Sequence, residues 1–205
     1  IKSSISKQPL DLRKNTNVGG VVGLADGLVV DNLAAEFSEI VIDVNATNVG
    51  GLVGNCFGAM NIAAPISKMQ ITANNANNAN NAANVGGVVG TAGTLNMTIR
   101  DDVILTSSNP TEENYGKIKA TGTKTIRVGG IVGYTKNGTT ISAVNQTPVR
   151  FQTNDIEISG PSVYAGGLVG QTGNMVSISN VQVNTQGKIK NKVMTITCAG
   201  DVTAG

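Results

Sequence analysis

Val18-Gly19-Gly20-Val21-Val22-Gly23 returns four times along the chain. It stands as Val49-Gly50-Gly51-Leu52-Val53-Gly54, then as Val85-Gly86-Gly87-Val88-Val89-Gly90. It stands again as Val128-Gly129-Gly130-Ile131-Val132-Gly133 and as Ala165-Gly166-Gly167-Leu168-Val169-Gly170. The copies start at 18, 49, 85, 128 and 165. Self-similarity at such a period marks a repeat architecture.

Each copy is followed by a short turn-rich piece: Leu24-Ala25-Asp26-Gly27, Asn55-Cys56-Phe57-Gly58, Thr91-Ala92-Gly93, Lys136-Asn137-Gly138 and Gln171-Thr172-Gly173-Asn174. Segments of strict apolar/polar alternation come next, such as Met97-Thr98-Ile99-Arg100, Ile156-Glu157-Ile158-Ser159 and Val176 to Val183. Alternation of period two is the mark of a half-buried strand. One repeat therefore reads as Gly-rich strand, turn, strand, loop, strand. Ala34-Ala35-Glu36-Phe37 is the one stretch that reads as a single helical turn.

A unit of this size cannot bury its apolar face alone, so stacked copies must share a continuous core. The expected fold is all-β: a β-helix-like solenoid of about five Gly-rich repeats. Glycine within a strand costs roughly 0.5–1 kcal/mol relative to alanine, so the recurring glycines answer a geometric need. The need is either a bend at a coil corner or a close approach of facing backbones.

Composition agrees. Of 205 residues, 26 are Gly and only 3% are aromatic, with no Trp. The core must come from Val, Ile, Leu and Ala, with small residues between. Charged residues make up 14% and the formal net charge is +2, which gives no strong attraction to nucleic acid. No stretch is long and apolar enough to read as a membrane span. Cys56 and Cys198 match no metal or redox spacing and fall several coils apart, so both are expected as free, partly buried thiols.

The motif resembles the GLUG repeat, Gly-Leu-aliphatic-Gly. It stands here as Gly51-Leu52-Val53-Gly54 and Gly167-Leu168-Val169-Gly170, with Val or Ile for Leu in the other three copies. The family occurs in large secreted or cell-surface bacterial proteins, including adhesins and passenger regions of exported peptidases. The resemblance covers the chain from about Thr16 onward. It implies an extracellular or cell-surface address and a repeat architecture, and it brings no catalytic residues.

Little in the sequence points to catalysis. The chain has no His, which removes Ser-His-Asp and Cys-His systems and imidazole metal sites. The glycine motif lacks the spacing of a dinucleotide fingerprint, and Gly122-Thr123-Lys124-Thr125 lacks that of a phosphate loop. Neither cofactor nor metal is expected. Asp155 with Glu157, or Asp101 with Asp102, would be the carboxylates of a carbohydrate-active β-helix. The favoured reading is that they are solvated.

Lys188, Lys190 and Lys192 alternate, as do Lys117 and Lys119. They read as exposed strands protected against edge pairing, or else as contacts for acidic sugars or an anionic surface. The run from Asn74 to Asn84 reads as a solvated loop, or as an Asn ladder at a coil corner. Residues 109–115 read as a second surface loop, and such loops often carry a solenoid's contacts. The four Asn-x-Thr sequons, at Asn45, Asn96, Asn137 and Asn145, read as coincidental. Thr-rich alternation at 121–125 and 195–197 raises ice binding, against which the rows read as out of register from copy to copy.

Residues 1–15 read as an entry strand or cap, and 16–205 as the solenoid. The start is not a signal peptide, so a leader has been removed or the chain is an excerpt. Cys198 to Gly205 reads as a decayed sixth start. The expected role is a non-enzymatic stalk, spacer or adhesive segment of a surface or secreted bacterial protein. Expected partners are glycans, host or cell-surface proteins, or further copies of the chain at open solenoid ends. A carbohydrate-binding or carbohydrate-active β-helix is the alternative, with ice-binding or fibre-forming solenoids behind it.

Overall fold

The computed structural model describes residues 3–5, 17–31, 40–44, 46–63, 69–75, 83–99, 103–104, 117–143, 149–152, 156–183, 194–198 and 202–204. Every element among them is a strand, and all pairings are parallel. Strands are numbered in chain order. Sheet A stacks β1 (Ser3–Ile5), β5 (Ile40–Val44), β8 (Met69–Asn75), β12 (Ile118–Gly122), β16 (Ile156–Gly160) and β21 (Met194–Cys198). Sheet B stacks β2 (Asn17–Gly19), β6 (Asn48–Gly50), β9 (Ala83–Gly86), β13 (Thr125–Gly129), β17 (Ser162–Gly166) and β22 (Val202–Ala204).

Sheet C holds β3 (Val22–Ala25) and β4 (Leu28–Asp31), β7 (Val53–Ala63), β10 (Val89–Ile99), β14 (Val132–Ala143), and β18 (Val169–Thr172) with β19 (Val176–Ser179). A short sheet D joins β11 (Val103–Ile104), β15 (Val149–Gln152) and β20 (Val181–Val183). The chain visits A, B and C in the same order in each of the first five coils. The fold is the expected all-β solenoid. A sixth rung exists in sheets A and B, where Val202, Thr203 and Ala204 pair with Val163, Tyr164 and Ala165. The decayed sixth start is thus a real strand in the motif's register.

The registers explain why aliphatic residues suffice for the core. Ile5, Ile42, Ile71, Ile118, Ile156 and Met194 occupy one row of sheet A. Val18, Val49, Val85, Val128, Ala165 and Ala204 occupy one row of sheet B. Within these rows Ile71, Ile118, Val49, Val85 and Val128 are essentially inaccessible to solvent. Met60, Met69 and Met97 join them, filling gaps with flexible thioethers. Phe57, an aromatic that a globular core would claim, is 64% exposed.

The glycine motif turns the corner from sheet B to sheet C. Its first glycine ends the B strand, its second and the following aliphatic form the corner, and its last two residues open the C strand. At the corner one carbonyl accepts two hydrogen bonds from the preceding coil. Leu52 O accepts from Val21 N (3.1 Å) and Val22 N (3.0 Å), and Val88 O from Leu52 N (2.9 Å) and Val53 N (3.1 Å). Ile131 O accepts from Val88 N and Val89 N, both at 2.9 Å, and Leu168 O from Ile131 N (2.9 Å) and Val132 N (3.0 Å). The ladder therefore continues through the bend, and the corner amides are satisfied without solvent.

The two geometric needs foreseen for the glycines are both met there. A Cβ on Gly90 would sit 2.5 Å from the Gly54 carbonyl oxygen and 2.6 Å from the Val49 nitrogen. A Cβ on Gly50 would sit 2.5 Å from the Gly90 nitrogen. First and third glycines of adjacent coils thus interleave backbone to backbone.

The piece after each motif differs from its expectation as a turn. In the three central coils it lies inside one long strand, β7, β10 or β14. Gly93 stands alone opposite Phe57 and Gly58 on one side and Lys136 and Asn137 on the other, so the sheet kinks at a register shift. The neighbouring coils pair on both sides and keep the kink in the ladder. Only in the outer coils does the strand break, into β3 with β4 and β18 with β19. The possible helical turn at 34–37 lies outside the described residues.

Gly90→Ala should destabilise the fold by about 3 kcal/mol or more, because the added Cβ would meet backbone atoms of the preceding coil, which leave no room to relax. Gly27→Ala, whose Cβ would meet nothing nearer than the Ala59 carbonyl oxygen at 3.7 Å, should change stability by less than about 1 kcal/mol. Urea unfolding of the two variants checks the contrast.

Candidate functional site

Two rows of side chains meet along the B–C corner. The B row is Asn17, Asn48, Asn84, Arg127, Tyr164 and Thr203, each the residue just before the hydrophobic start of its motif copy. The C row is Leu24, Asn55, Thr91, Tyr134 and Gln171, each the residue just after the last motif glycine. Contacts across the corner join them. Thr91 Oγ1 donates to Asn48 Oδ1 at 2.6 Å, Arg127 Nε donates to Gln171 Oε1, and the Arg127 guanidinium lies 5.0 Å from the Tyr134 ring centre.

Along the B row the side chains form a directional chain. Arg127 Nη1 donates to Asn84 Oδ1 (3.2 Å), Asn84 Nδ2 to Asn48 Oδ1 (2.7 Å) and Asn48 Nδ2 to Asn17 Oδ1 (2.7 Å). Arginine is donor-only, so Asn84 must turn its oxygen toward it, and the orientation of each following amide is then fixed. A cation at the head polarises the chain in the same direction. Asn48 and Asn84 are buried, so these bonds replace those that water would make.

Beyond Arg127 the seam is half-buried. The guanidinium lies over Tyr134 and, at 5.8 Å, over Tyr164, within the range of cation–π attraction. Burial pulls the Arg127 pKa below its ordinary value, partly offset by the two tyrosines. No carboxylate among the described residues pairs with it.

Other anticipated residues fall as follows. The fifteen motif glycines line the corner. Lys188, Lys190 and Lys192 lie outside the described residues, as do Asp101, Asp102, Asp155, the loop 109–115, and Asn45 and Asn145. Glu157 faces Lys119 across sheet A at 3.5 Å, both about half exposed. Across the coils of sheet A, Lys119 stands in one row with Thr72, Glu157 and Thr195. Asn96 and Asn137 are exposed positions of sheet C.

An Asn ladder exists at the B–C corner, formed by Asn17, Asn48 and Asn84. Of the described residues of the run Asn74–Asn84, Asn84 joins the amide chain. Asn74 and Asn75 end β8, and 76–82 lie outside the described residues. Of the threonine stretches, Thr121 and Thr197 share one register with Ser159 in sheet A, while Thr195 falls in line with Glu157 and Lys119. Cys56 is free and fully buried, deeper than expected, and burial pushes its thiol pKa up. The side chain of Cys198 lies outside the described residues.

No family model, curated protein or solved structure matches the chain. Among the described residues no helix is long and apolar enough to cross a membrane.

Arg127, Tyr134, Tyr164 and Gln171 were not singled out in the sequence. Their signal was the pair of columns flanking the aligned motif, which reads Asn, Asn, Asn, Arg, Tyr on one side and Leu, Asn, Thr, Tyr, Gln on the other. Asn48→Ala should cost on the order of 1–3 kcal/mol, because it strands the Asn84 amide and the Thr91 hydroxyl in a buried seam. Asn17→Ala, at the half-buried end of the chain, should cost less than about 1 kcal/mol. Equal losses in urea unfolding would contradict the seam's chain of bonds.

Proposed function

We propose that the chain is a non-enzymatic stalk or spacer segment of a surface or secreted bacterial protein, able to carry adhesive contacts on its outer faces. The observation that carries the reading is the unbroken coil-to-coil pairing in sheets A, B and C, corners included. A turn that remains in the ladder has no hinge, so each coil is held against the next by both backbone and core. Such an array keeps a fixed length and presents the same face at every step. The resemblance of the motif to the GLUG repeat supports the extracellular address. The polar seam supports the adhesive part.

Stiffness is the testable property. Val29 and Ser177 belong to one exposed column, through Asn61, Asn96 and Thr140. They are separated by four ladder steps, about 19 Å at the usual strand spacing. Spin labels at Val29→Cys and Ser177→Cys, in a Cys56→Ala, Cys198→Ser background, should give one narrow distance distribution near that value by electron–electron double resonance. A broad distribution would rule out a rigid spacer.

A further inference from the structure

We propose that the Arg127 end of the seam is a binding site for the carboxylate of an acidic saccharide. The inference deepens the adhesive part of the reading above and rests on it. Arginine carries five N–H donors. Arg127 spends one on Gln171 and one on Asn84. Among the described residues that leaves Nη2 without a hydrogen-bond partner and one proton on Nη1, the pair of nitrogens that meets a carboxylate two-pronged.

The group is also held in place. Gln171 fixes Nε, Asn84 fixes Nη1, and Tyr134 and Tyr164 lie against the guanidinium. A forked donor fixed before binding loses little freedom when a ligand arrives. Half-burial strengthens its attraction for an anion over that of an exposed lysine, and screens it less. No described carboxylate occupies it.

A saccharide fits the rest of the seam better than an acidic peptide. The tyrosine hydroxyls make no hydrogen bond to the described residues, and the Gln171 amide nitrogen makes none either. These are neutral donors and acceptors of the kind that sugar hydroxyls satisfy, set beside aromatic rings. Among the described residues the seam offers one cation, Arg127, and no second to meet a run of acidic side chains.

The test is calorimetric titration of the full chain, at physiological salt, with oligogalacturonate, uncharged galactose oligomers, dextran sulfate and poly-glutamate. Oligogalacturonate should bind. Arg127→Met should weaken it by about tenfold or more, and Arg127→Lys should weaken it too, since it keeps the charge and loses the fork. Tyr134→Phe and Gln171→Ala, which leave the Asn chain intact, should each weaken it several-fold and serve if Arg127→Met fails to fold. Equal binding of the galactose oligomers, of dextran sulfate or of poly-glutamate would overturn the assignment to a sugar carboxylate. So would no binding of oligogalacturonate, or binding indifferent to these substitutions. Any of those results leaves the spacer reading standing if the spin-label distance is narrow. A broad distance with Arg127-dependent binding would sink the spacer and keep the site.

Discussion

Adjacent coils touch backbone to backbone at the corner between sheets B and C, with no space for a side chain. Gly54, Gly90 and Gly133 lie against the carbonyls and amides of the coil before them. Close approach is what lets one carbonyl receive two amides from the coil below. The turn residues thereby join the ladder, where an ordinary turn would leave them to solvent. The usual cost of glycine in a strand is offset by hydrogen bonds that no larger residue permits.

That corner also makes the seam. Because the chain bends sharply there, the residues on either side of the glycine motif come within hydrogen-bond reach across the bend. In the early coils they include Asn17, Asn48, Asn84 and Thr91, which bond one another. In the later coils they are an arginine, two tyrosines and a glutamine, which satisfy one another only in part. The same scaffold positions thus carry different side chains along the array while the strand register is kept. This is how repeat architectures commonly separate structure from binding: the motif is kept and the flanking columns vary.

The architecture was readable from the motif because five copies place their glycines and aliphatics at fixed offsets. The two roles foreseen for the glycines were both present, and the sixth start at Val202 to Ala204 could be seen in the sequence. What was misjudged depended on neighbours in the stack. Gly93 reads as a turn in isolation, and becomes a kink within a strand because Ala92 and Thr94 on either side of it pair with both neighbouring coils. The Asn-rich run drew attention by composition. Asn17, Asn48 and Asn84 form the ladder because each immediately precedes a motif, and single asparagines 31 and 36 residues apart stand out only once the copies are aligned. The alternation of Lys117 and Lys119 stands in the sequence, whereas a parallel partner such as Glu157 is known only once register is known.

The central claim is that the corners are structural and not loose turns, and amide hydrogen exchange measured by solution NMR addresses it most directly. The corner amides of Leu52, Val53, Val88, Val89, Ile131 and Val132 all donate to the next coil's carbonyl. They should exchange only through global unfolding, as slowly as the amides of Ile71 and Ile118 in sheet A. Corner amides that exchange orders of magnitude faster than those would show that the bend opens locally, and would contradict the account.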